Sequence, residues 1–266
     1  MSFVDHRTGN TGGGVGTVVI DKPTLCAAGN WFILVLNSNM LDGTHSLTPP
    51  DVTWQLVIDK QAGTAGSDTS HMHVYIKKVL SSEAGGAGPA TYTFTCNGGA
   101  RSFSWSLSAW DGLDQSNPLG NFDSDADGNV SDTTAPCPTR STTVADAWVF
   151  RIATFRALGT FTDIGAIYNN RIQVNPGGGT GINFAHNLQD RQQAVVGAAG
   201  LETIVCSNPG KHVGATLIMN PPQPVTSTLA PDGVAAQSGY ADATTGNISR
   251  VQGDPDSAGG TGFTAN

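Results

Sequence analysis

Between Ser102 and Trp110 the chain reads Ser-Phe-Ser-Trp-Ser-Leu-Ser-Ala-Trp. From Phe103 to Ala109 every second residue is apolar and the residues between them are serines. A period of two residues is typical of a β-strand that has one apolar and one polar face. We therefore predict a half-buried strand here, with its serines on an outer, polar face.

Similar strand-sized segments follow one another along the chain, with turn-forming Gly, Pro and Asn between them. These segments are Thr17–Ile20, Trp31–Leu36, Val52–Ile58, His71–Val79, Thr91–Cys96, Asp146–Phe155, Ile164–Tyr168, Arg171–Val174, Gln193–Val196, Thr203–Cys206 and Val213–Met219. No segment keeps the apolar period of about 3.6 residues that an amphipathic helix needs. The pattern predicts an all-β fold, and specifically a single two-sheet antiparallel β-sandwich with jelly-roll-like connections.

The composition divides the chain into three parts. Residues 1–16 are rich in Gly, Thr and Asn and are interpreted as an irregular N-terminal arm. Residues 17–222 carry the strand pattern and form the predicted sandwich domain. Residues 223–266 follow a proline-rich stretch and contain few large apolar side chains. Because such a segment cannot build its own core, we expect an extended C-terminal arm that is ordered by contacts with neighbouring subunits.

Charge and cysteine content narrow the classes of function. The formal net charge is −8 and only 13 residues are Lys or Arg, which argues against nucleic acid as a partner. No apolar run is long enough to span a membrane, and no secretory signal is visible at Met1. We therefore expect assembly in a host cytoplasm and release by lysis. The four cysteines lack metal-binding spacing; Cys96 is predicted to be a buried small hydrophobe, and a disulfide is left open.

Several blocks resemble a β-sandwich domain, jelly-roll-like, that is widespread in structural proteins of tailed-bacteriophage particles. Lys22–Leu34 is similar to its opening block P-x-G-V-x-A-G-D-x-L-L, and Pro89–Thr95 to its block P-x-S-Y-T-F-T. The further similar blocks, in the same order as in the family, are Pro50–Leu56, Val74–Val79, Ala109–Asp114, Thr142–Phe150 and Gly214–Leu217. The resemblance implies a β-sandwich with a role at the particle surface or tail, and it implies no catalytic residues.

An acidic segment between two predicted strands is a candidate calcium site. Aspartates at loop positions 1, 3 and 5 with Gly128 at position 6 place carboxylate oxygens around one ion while the chain turns sharply. The candidate ligands are Asp123, Asp125, Asp127, Asn129 and Asp132. The alternative is a solvated acidic loop, because Asp, Asn, Ser and Gly are also the commonest turn formers. No other cofactor is expected.

A second set of candidates lies on two predicted strands. His71 and His73 share one strand face and can offer two imidazoles to a metal, although no third ligand is evident in the sequence. Tyr75 lies on the same face, where it is a candidate for contacts with a sugar or a protein, and an exposed, solvated face is the alternative. Trp110 ends a strand beside Asp111-Gly112 and is the best candidate for an exposed tryptophan.

No motif for nucleophilic, metal-dependent or phosphate-binding catalysis is present, so we expect no enzymatic activity. The sequence predicts a structural protein of a bacteriophage virion, most simply a capsid decoration or cement protein. Its expected partners are the major capsid protein or other virion proteins and further copies of itself, with neither nucleic acid nor membrane. The alternative is a tail- or fibre-associated module that binds a receptor or a carbohydrate.

Overall fold

The computed structural model describes residues 1–64, 69–126, 130–162, 167–175 and 183–224, together with the backbone of a strand pair at Thr226–Ser227 and Gln237–Ser238. Residues Met1–Pro221 form one compact unit, and the residues from Pro222 onward form another. The strand pair belongs to the second unit, and the predicted C-terminal arm otherwise lies almost wholly outside the described residues. Within the described ranges, no helix is both long and apolar enough to cross a membrane.

The described residues of the first unit form 18 strands and one helical segment, a 3₁₀ turn at Ser81–Glu83. The strands are β1 Ser2–Asn10, β2 Thr17–Asp21, β3 Trp31–Ser38, β4 Ser46–Thr48, β5 Gln55–Ala62, β6 Ser70–Lys78, β7 Thr91–Asn97, β8 Phe103–Asp111, β9 Leu119–Ala126, β10 Asp132–Cys137, β11 Ser141–Thr142, β12 Ala147–Phe155, β13 Phe161–Thr162, β14 Asn169–Val174, β15 Ala185–Gln193, β16 Gly197–Ala198, β17 Glu202–Gly210 and β18 His212–Met219. The prediction of an all-β fold is confirmed.

The strands up to β8 form a first jelly roll of two antiparallel sheets. Its inner sheet has the order β1-β8-β3-β6-β5 and its outer sheet the order β2-β7-β4. This is the connectivity of a jelly roll. In it, the first, eighth, third and sixth strands of the roll lie side by side and face a sheet of the second, seventh and fourth strands. The fifth strand pairs with the sixth at the edge of the inner sheet.

The strands from β9 onward repeat this connectivity. The second inner sheet has the order β14-β15-β12-β18-β9, and the second outer sheet the order β10-β17-β13. The strands of this second roll can be numbered one to eight from β9, leaving out the small β11–β16 pair. The inner sheet then has the order five, six, three, eight, one, and the outer sheet the order two, seven, four. The chain is therefore a tandem of two jelly rolls with the same topology.

Three of the four apolar clusters in the described residues separate four stacked sheets. A first outer core lies between the outer and inner sheets of the first roll and contains Phe32, Tyr92 and Trp105. A central core lies between the two inner sheets. A second outer core lies under the second outer sheet and contains Phe155 and Cys206. Both inner sheets are therefore covered on both faces, which explains why β6, β8, β12 and β18 are buried along almost their whole length.

Edge strands of the two inner sheets contact each other at two places. The fifth strand of the first roll, β5, contacts the first strand of the second roll, β9. In the reciprocal position, Phe3 of β1 lies 5.6 Å from the guanidinium of Arg171 on β14. Trp31 and Trp148 both stand at the start of the third strand of their roll and pack on the central core. The two rolls therefore place residues of the same type at equivalent points of the same topology.

Two sequence expectations are corrected by this architecture. The two-sheet sandwich becomes four stacked sheets, so the serine face of β8 is buried rather than solvated: Ser104, Ser106 and Ser108 are at most 1% exposed. The irregular arm predicted for residues 1–16 is wrong for Ser2–Asn10, which forms β1 and pairs with β8. Hydrogen bonding to the neighbouring strand orders this polar segment despite its glycine and its lack of apolar periodicity.

Candidate functional site

One described cluster of side chains has the composition of a metal site. His71 and His73 lie on β6 and point to the same side of the first inner sheet, as their spacing predicts. The neighbouring edge strand β5 places Asp59 directly opposite His73. The loop between β3 and β4 adds Asp42, whose backbone N–H donates a 2.6 Å hydrogen bond to the side-chain oxygen of Gln61 on β5. We call His71, His73, Asp59 and Asp42 the histidine cluster.

The polar atoms of this cluster converge on one point. Nε2 of His71 is 2.5 Å from Oδ1 of Asp59 and 3.3 Å from Oδ1 of Asp42. Nε2 of His73 is 3.3 Å from the same oxygen of Asp59. The imidazole rings stack with their centroids 4.1 Å apart. One ligand atom from each of Asp59, His71 and His73 lies within 4.8 Å of the others, and this is the only such group of three among the described residues.

Burial divides the cluster into an inner and an outer half. The side chains of His71 and His73 are 2% and 3% exposed, whereas those of Asp59 and Asp42 are 48% and 65% exposed. Burial and the neighbouring His71 lower the pKa of His73 to about 3, against an opposing effect of Asp59, so this imidazole is neutral at neutral pH. Burial acts to raise the pKa of Asp59, but the hydrogen bond from His71 and the attraction to both imidazoles hold it below its ordinary value.

The rest of this face of β6 is buried, so the alternative of an exposed, solvated face is wrong. Tyr75 is 2% exposed and packs edge-on against Phe94 of the outer sheet, 5.2 Å between ring centroids. Burial raises the pKa of the Tyr75 hydroxyl. Lys77 is 1% exposed and pairs with the carboxylate of Glu83 at 3.2 Å. Tyr75 is therefore a core residue, and its predicted role as a surface contact is wrong because the outer sheet of the first roll covers it.

Trp110 is also a core residue. It is fully buried, its indole N–H donates a 2.9 Å hydrogen bond to Ser108, and its ring packs edge-on against Phe150 of the second roll at 4.8 Å. The expectation of an exposed tryptophan is wrong because the second roll covers the end of β8. Trp110 links the two rolls and is not accessible to a partner.

The candidate calcium ligands are distributed over two strands and the segment between them. Asp123 and Asp125 lie in β9, where Asp123 forms an ion pair with Arg140. Asp132 begins β10, and its carboxylate accepts a hydrogen bond from the N–H of Thr133 at 2.5 Å. Asp127 and Asn129 lie outside the described residues. The calcium site stays a prediction, and Asp123 already has a cationic partner.

A polar network is buried in the contact between the rolls. The imidazole of His186 on β15 bridges Ser104 and Ser106 of β8, with nitrogen-to-oxygen distances of 3.1 and 2.9 Å. The amide nitrogen of Asn37 on β3 donates 3.0 Å hydrogen bonds to the carbonyls of Phe155 and Ala185. Because an unsatisfied buried polar group is costly, these contacts fix the position of one inner sheet on the other.

Sequence analysis missed the carboxylates of the histidine cluster and all of this network. The signal for Asp59 is present: Val52–Ile58 and His71–Val79 are neighbouring strands in the sequence, and hairpin pairing brings the end of one opposite the start of the other. The register that pairs Asp59 with His73 is set by a bulge between Leu56 and Ile58, which has no clear sequence pattern. All four cysteines are free and buried, which confirms the interpretation of Cys96 as a small hydrophobe.

Comparisons with models of protein families, with curated proteins and with solved structures find no match for this chain. The resemblance to the bacteriophage sandwich domain therefore stays a prediction.

Proposed function

We propose that this protein is a structural component of a bacteriophage particle, most simply a capsid decoration or cement protein that binds the particle through sheet edges and extended arms. The tandem of two jelly rolls carries the proposal, because double-sheet jelly rolls recur in viral capsid proteins as well as in lectins. The sequence blocks that resemble a phage sandwich domain support it independently.

The burial pattern supports a role in contacts at edges and loops. Both faces of each inner sheet are used for packing within the unit. Exposed apolar side chains then mark the surfaces left for partners. Three of them occur within the connection between β15 and β17: Val195 at 71% exposure, Val196 at 58% and Leu201 at 66%. We propose that this connection contacts the major capsid protein or a neighbouring copy of the chain.

The copy number of the chain in purified particles tests the location. Quantitative mass spectrometry against the major capsid protein is expected to give hundreds of copies per particle for a lattice-bound decoration protein. Removal of the chain should then lower the temperature at which capsids release their DNA. A few copies, in multiples of three or six, would exclude decoration and favour a tail-associated receptor- or carbohydrate-binding module.

A pair of surface variants tests the contact. Val195→Asp combined with Leu201→Asp places two charges on the β15–β17 connection, whereas Val52→Asp places one on a fully exposed residue of the first roll. In a sedimentation assay with capsids that lack the chain, we expect the double variant to lose at least ten-fold in affinity and Val52→Asp to bind as the wild type does. Equal binding by both would exclude the β15–β17 connection as the contact.

A further inference from the structure

We propose that the histidine cluster is a binding site for a divalent transition-metal ion of the zinc type, held by Nε2 of His71, Nε2 of His73 and the carboxylates of Asp59 and Asp42. The role of the ion is to fasten the edge strand β5 and the β3–β4 loop to the buried strand β6. This inference concerns the stability of the first roll and does not depend on the proposed place of the chain in a virion.

The distances in the cluster fit a small tetrahedral ion. Zinc binds imidazole nitrogen and carboxylate oxygen at about 2.0–2.2 Å, which separates neighbouring donors by about 3.3–3.5 Å in a tetrahedron. His73 Nε2 and Asp59 Oδ1 are 3.3 Å apart, and so are His71 Nε2 and Asp42 Oδ1. The 2.5 Å contact between His71 and Asp59 is a direct hydrogen bond, and it must open by about 0.8 Å when an ion replaces the shared proton.

The charges favour a cation at this point. The carboxylates of Asp42 and Asp59 approach the same nitrogen of His71, so two negative groups lie close together with no Lys or Arg paired to either among the described ion pairs. A divalent ion between them offsets their repulsion. Two imidazole ligands select a borderline-soft ion such as Zn²⁺ over Ca²⁺ or Mg²⁺, which prefer oxygen ligands only.

The burial gradient favours both entry and retention of the ion. The half-exposed carboxylates face solvent, and the imidazoles form a floor that is at most 3% exposed. The imidazole Nδ1 atoms of His71 and His73 are buried without a hydrogen-bond partner among the described residues. The polar contacts of the two rings therefore all run through Nε2 towards the carboxylates, which is where an ion binds.

The cluster joins three separate segments of the chain. Asp42 lies in the β3–β4 loop, Asp59 on an edge strand that has one hydrogen-bonded neighbour, and the histidines on a strand with neighbours on both sides. An edge strand is the part of a sheet that opens most readily. An ion that binds only the closed arrangement stabilises it by mass action.

Zinc binding to the full chain tests the site. After removal of metals with a chelator, titration calorimetry is expected to show one Zn²⁺ per chain, and Co²⁺ is expected to give the intense visible absorption of a tetrahedral site. Asp59→Asn should weaken zinc binding at least ten-fold, and the loop variant Asp42→Asn should weaken it also. The control is Asp21→Asn, an exposed aspartate on β2 outside the cluster, which should bind zinc as the wild type does.

Thermal unfolding tests the role of the ion. At a zinc concentration of about 100 times Kd, the midpoint of the wild type is expected to rise by about 5–10 °C. Asp59→Asn and Asp42→Asn should lose most of this rise. Stoichiometric binding that leaves the wild-type midpoint unchanged would overturn the fastening role. Absence of zinc binding by the wild type, or equal affinity in Asp59→Asn, would overturn the site.

Discussion

His186 is a neutral imidazole enclosed in the contact between the two rolls. It is fully buried, and burial alone lowers its pKa to about 3. In the unfolded chain its pKa returns to about 6.5, so the unfolded state binds a proton first as the pH falls. The contribution of His186 to stability is thus complete above pH 6.5 and is lost progressively between about pH 6.5 and pH 3.

This predicts that one substitution removes the part of the acid sensitivity that comes from His186, while the buried His73, whose pKa is also lowered, contributes separately. Between pH 7 and pH 5, His186 should lower the free energy of unfolding by about 2 kcal/mol. His186→Gln can still hydrogen-bond to Ser104 and Ser106 but does not titrate, so the difference in stability between wild type and variant should narrow by that amount at pH 5. Urea denaturation at both pH values measures it. Asn37→Ala, which removes a buried hydrogen-bonding side chain of the same contact but no titratable group, serves as the control and should keep the wild-type pH dependence.

His71, His73 and Trp110 show how much about a single residue can be predicted from the sequence. The period of two correctly places His71 and His73 on one face. It cannot tell whether that face meets water, because serine hydroxyls and imidazoles can be buried wherever a partner on another strand satisfies them. That partner is set by long-range pairing. Trp110 was expected at the surface for the same reason: the second roll that covers it lies far along the chain.

At the scale of strands, Gly214 shows how closely two sheets approach. It lies in β18, and a Cβ atom added there would be 1.9 Å from the carbonyl oxygen of Pro136 on β10. A backbone atom cannot move aside as the end of a flexible side chain can. The second inner and outer sheets can therefore adopt their observed spacing only if this position has no side chain.

Gly214→Ala is expected to destabilise the second roll by about 1–3 kcal/mol, because β18 and β10 must separate to accept the methyl group. The matched control is Gly13→Ala, where an added Cβ meets nothing within 4 Å and the backbone is outside the left-handed region. Chemical denaturation of both variants measures the difference. A loss of stability no larger for Gly214→Ala than for Gly13→Ala would show that the two sheets are not so tightly constrained.

Local sequence patterns predict which segments form strands, and β1 is the exception. Thr91–Cys96 and Trp31–Leu36 were predicted as strands because their own side chains carry the signal. Ser2–Asn10 has no alternating apolar residues, and it is a strand because the edge of β8 offers it hydrogen bonds. That information belongs to the partner strand, so it does not appear in the segment itself.

At the scale of the whole unit, the division into two rolls explains why the sequence predicts too few sheets. A single jelly roll has one core between its two sheets, and the strands predicted here suffice for one large roll. The structure divides them into two smaller rolls, each with one inner sheet that is buried on both faces. Ile33 and Val35 of β3 face the central core while Phe32, Leu34 and Leu36 face the first outer core. The apolar run Trp31–Leu36 predicted a strand covered on both faces, but not which sheet covers it.

The central core also predicts how the chain behaves when it is divided. Each inner sheet buries one apolar face only against the other roll, so a roll made alone must expose that face. We expect fragments 1–116 and 117–266, when produced separately, to self-associate and to bind a hydrophobic dye. Produced together, they should purify as a 1:1 complex that unfolds cooperatively, because the cut falls between the rolls and leaves every strand pair of both inner sheets intact.

A cut between Gly85 and Gly86 is the control. It separates β7 and β8 from the strands with which they share backbone hydrogen bonds, so those fragments should not reassemble. If fragment 1–116 alone is a monomer that unfolds cooperatively without binding dye, the two rolls are independent domains and the central core is a contact between finished structures.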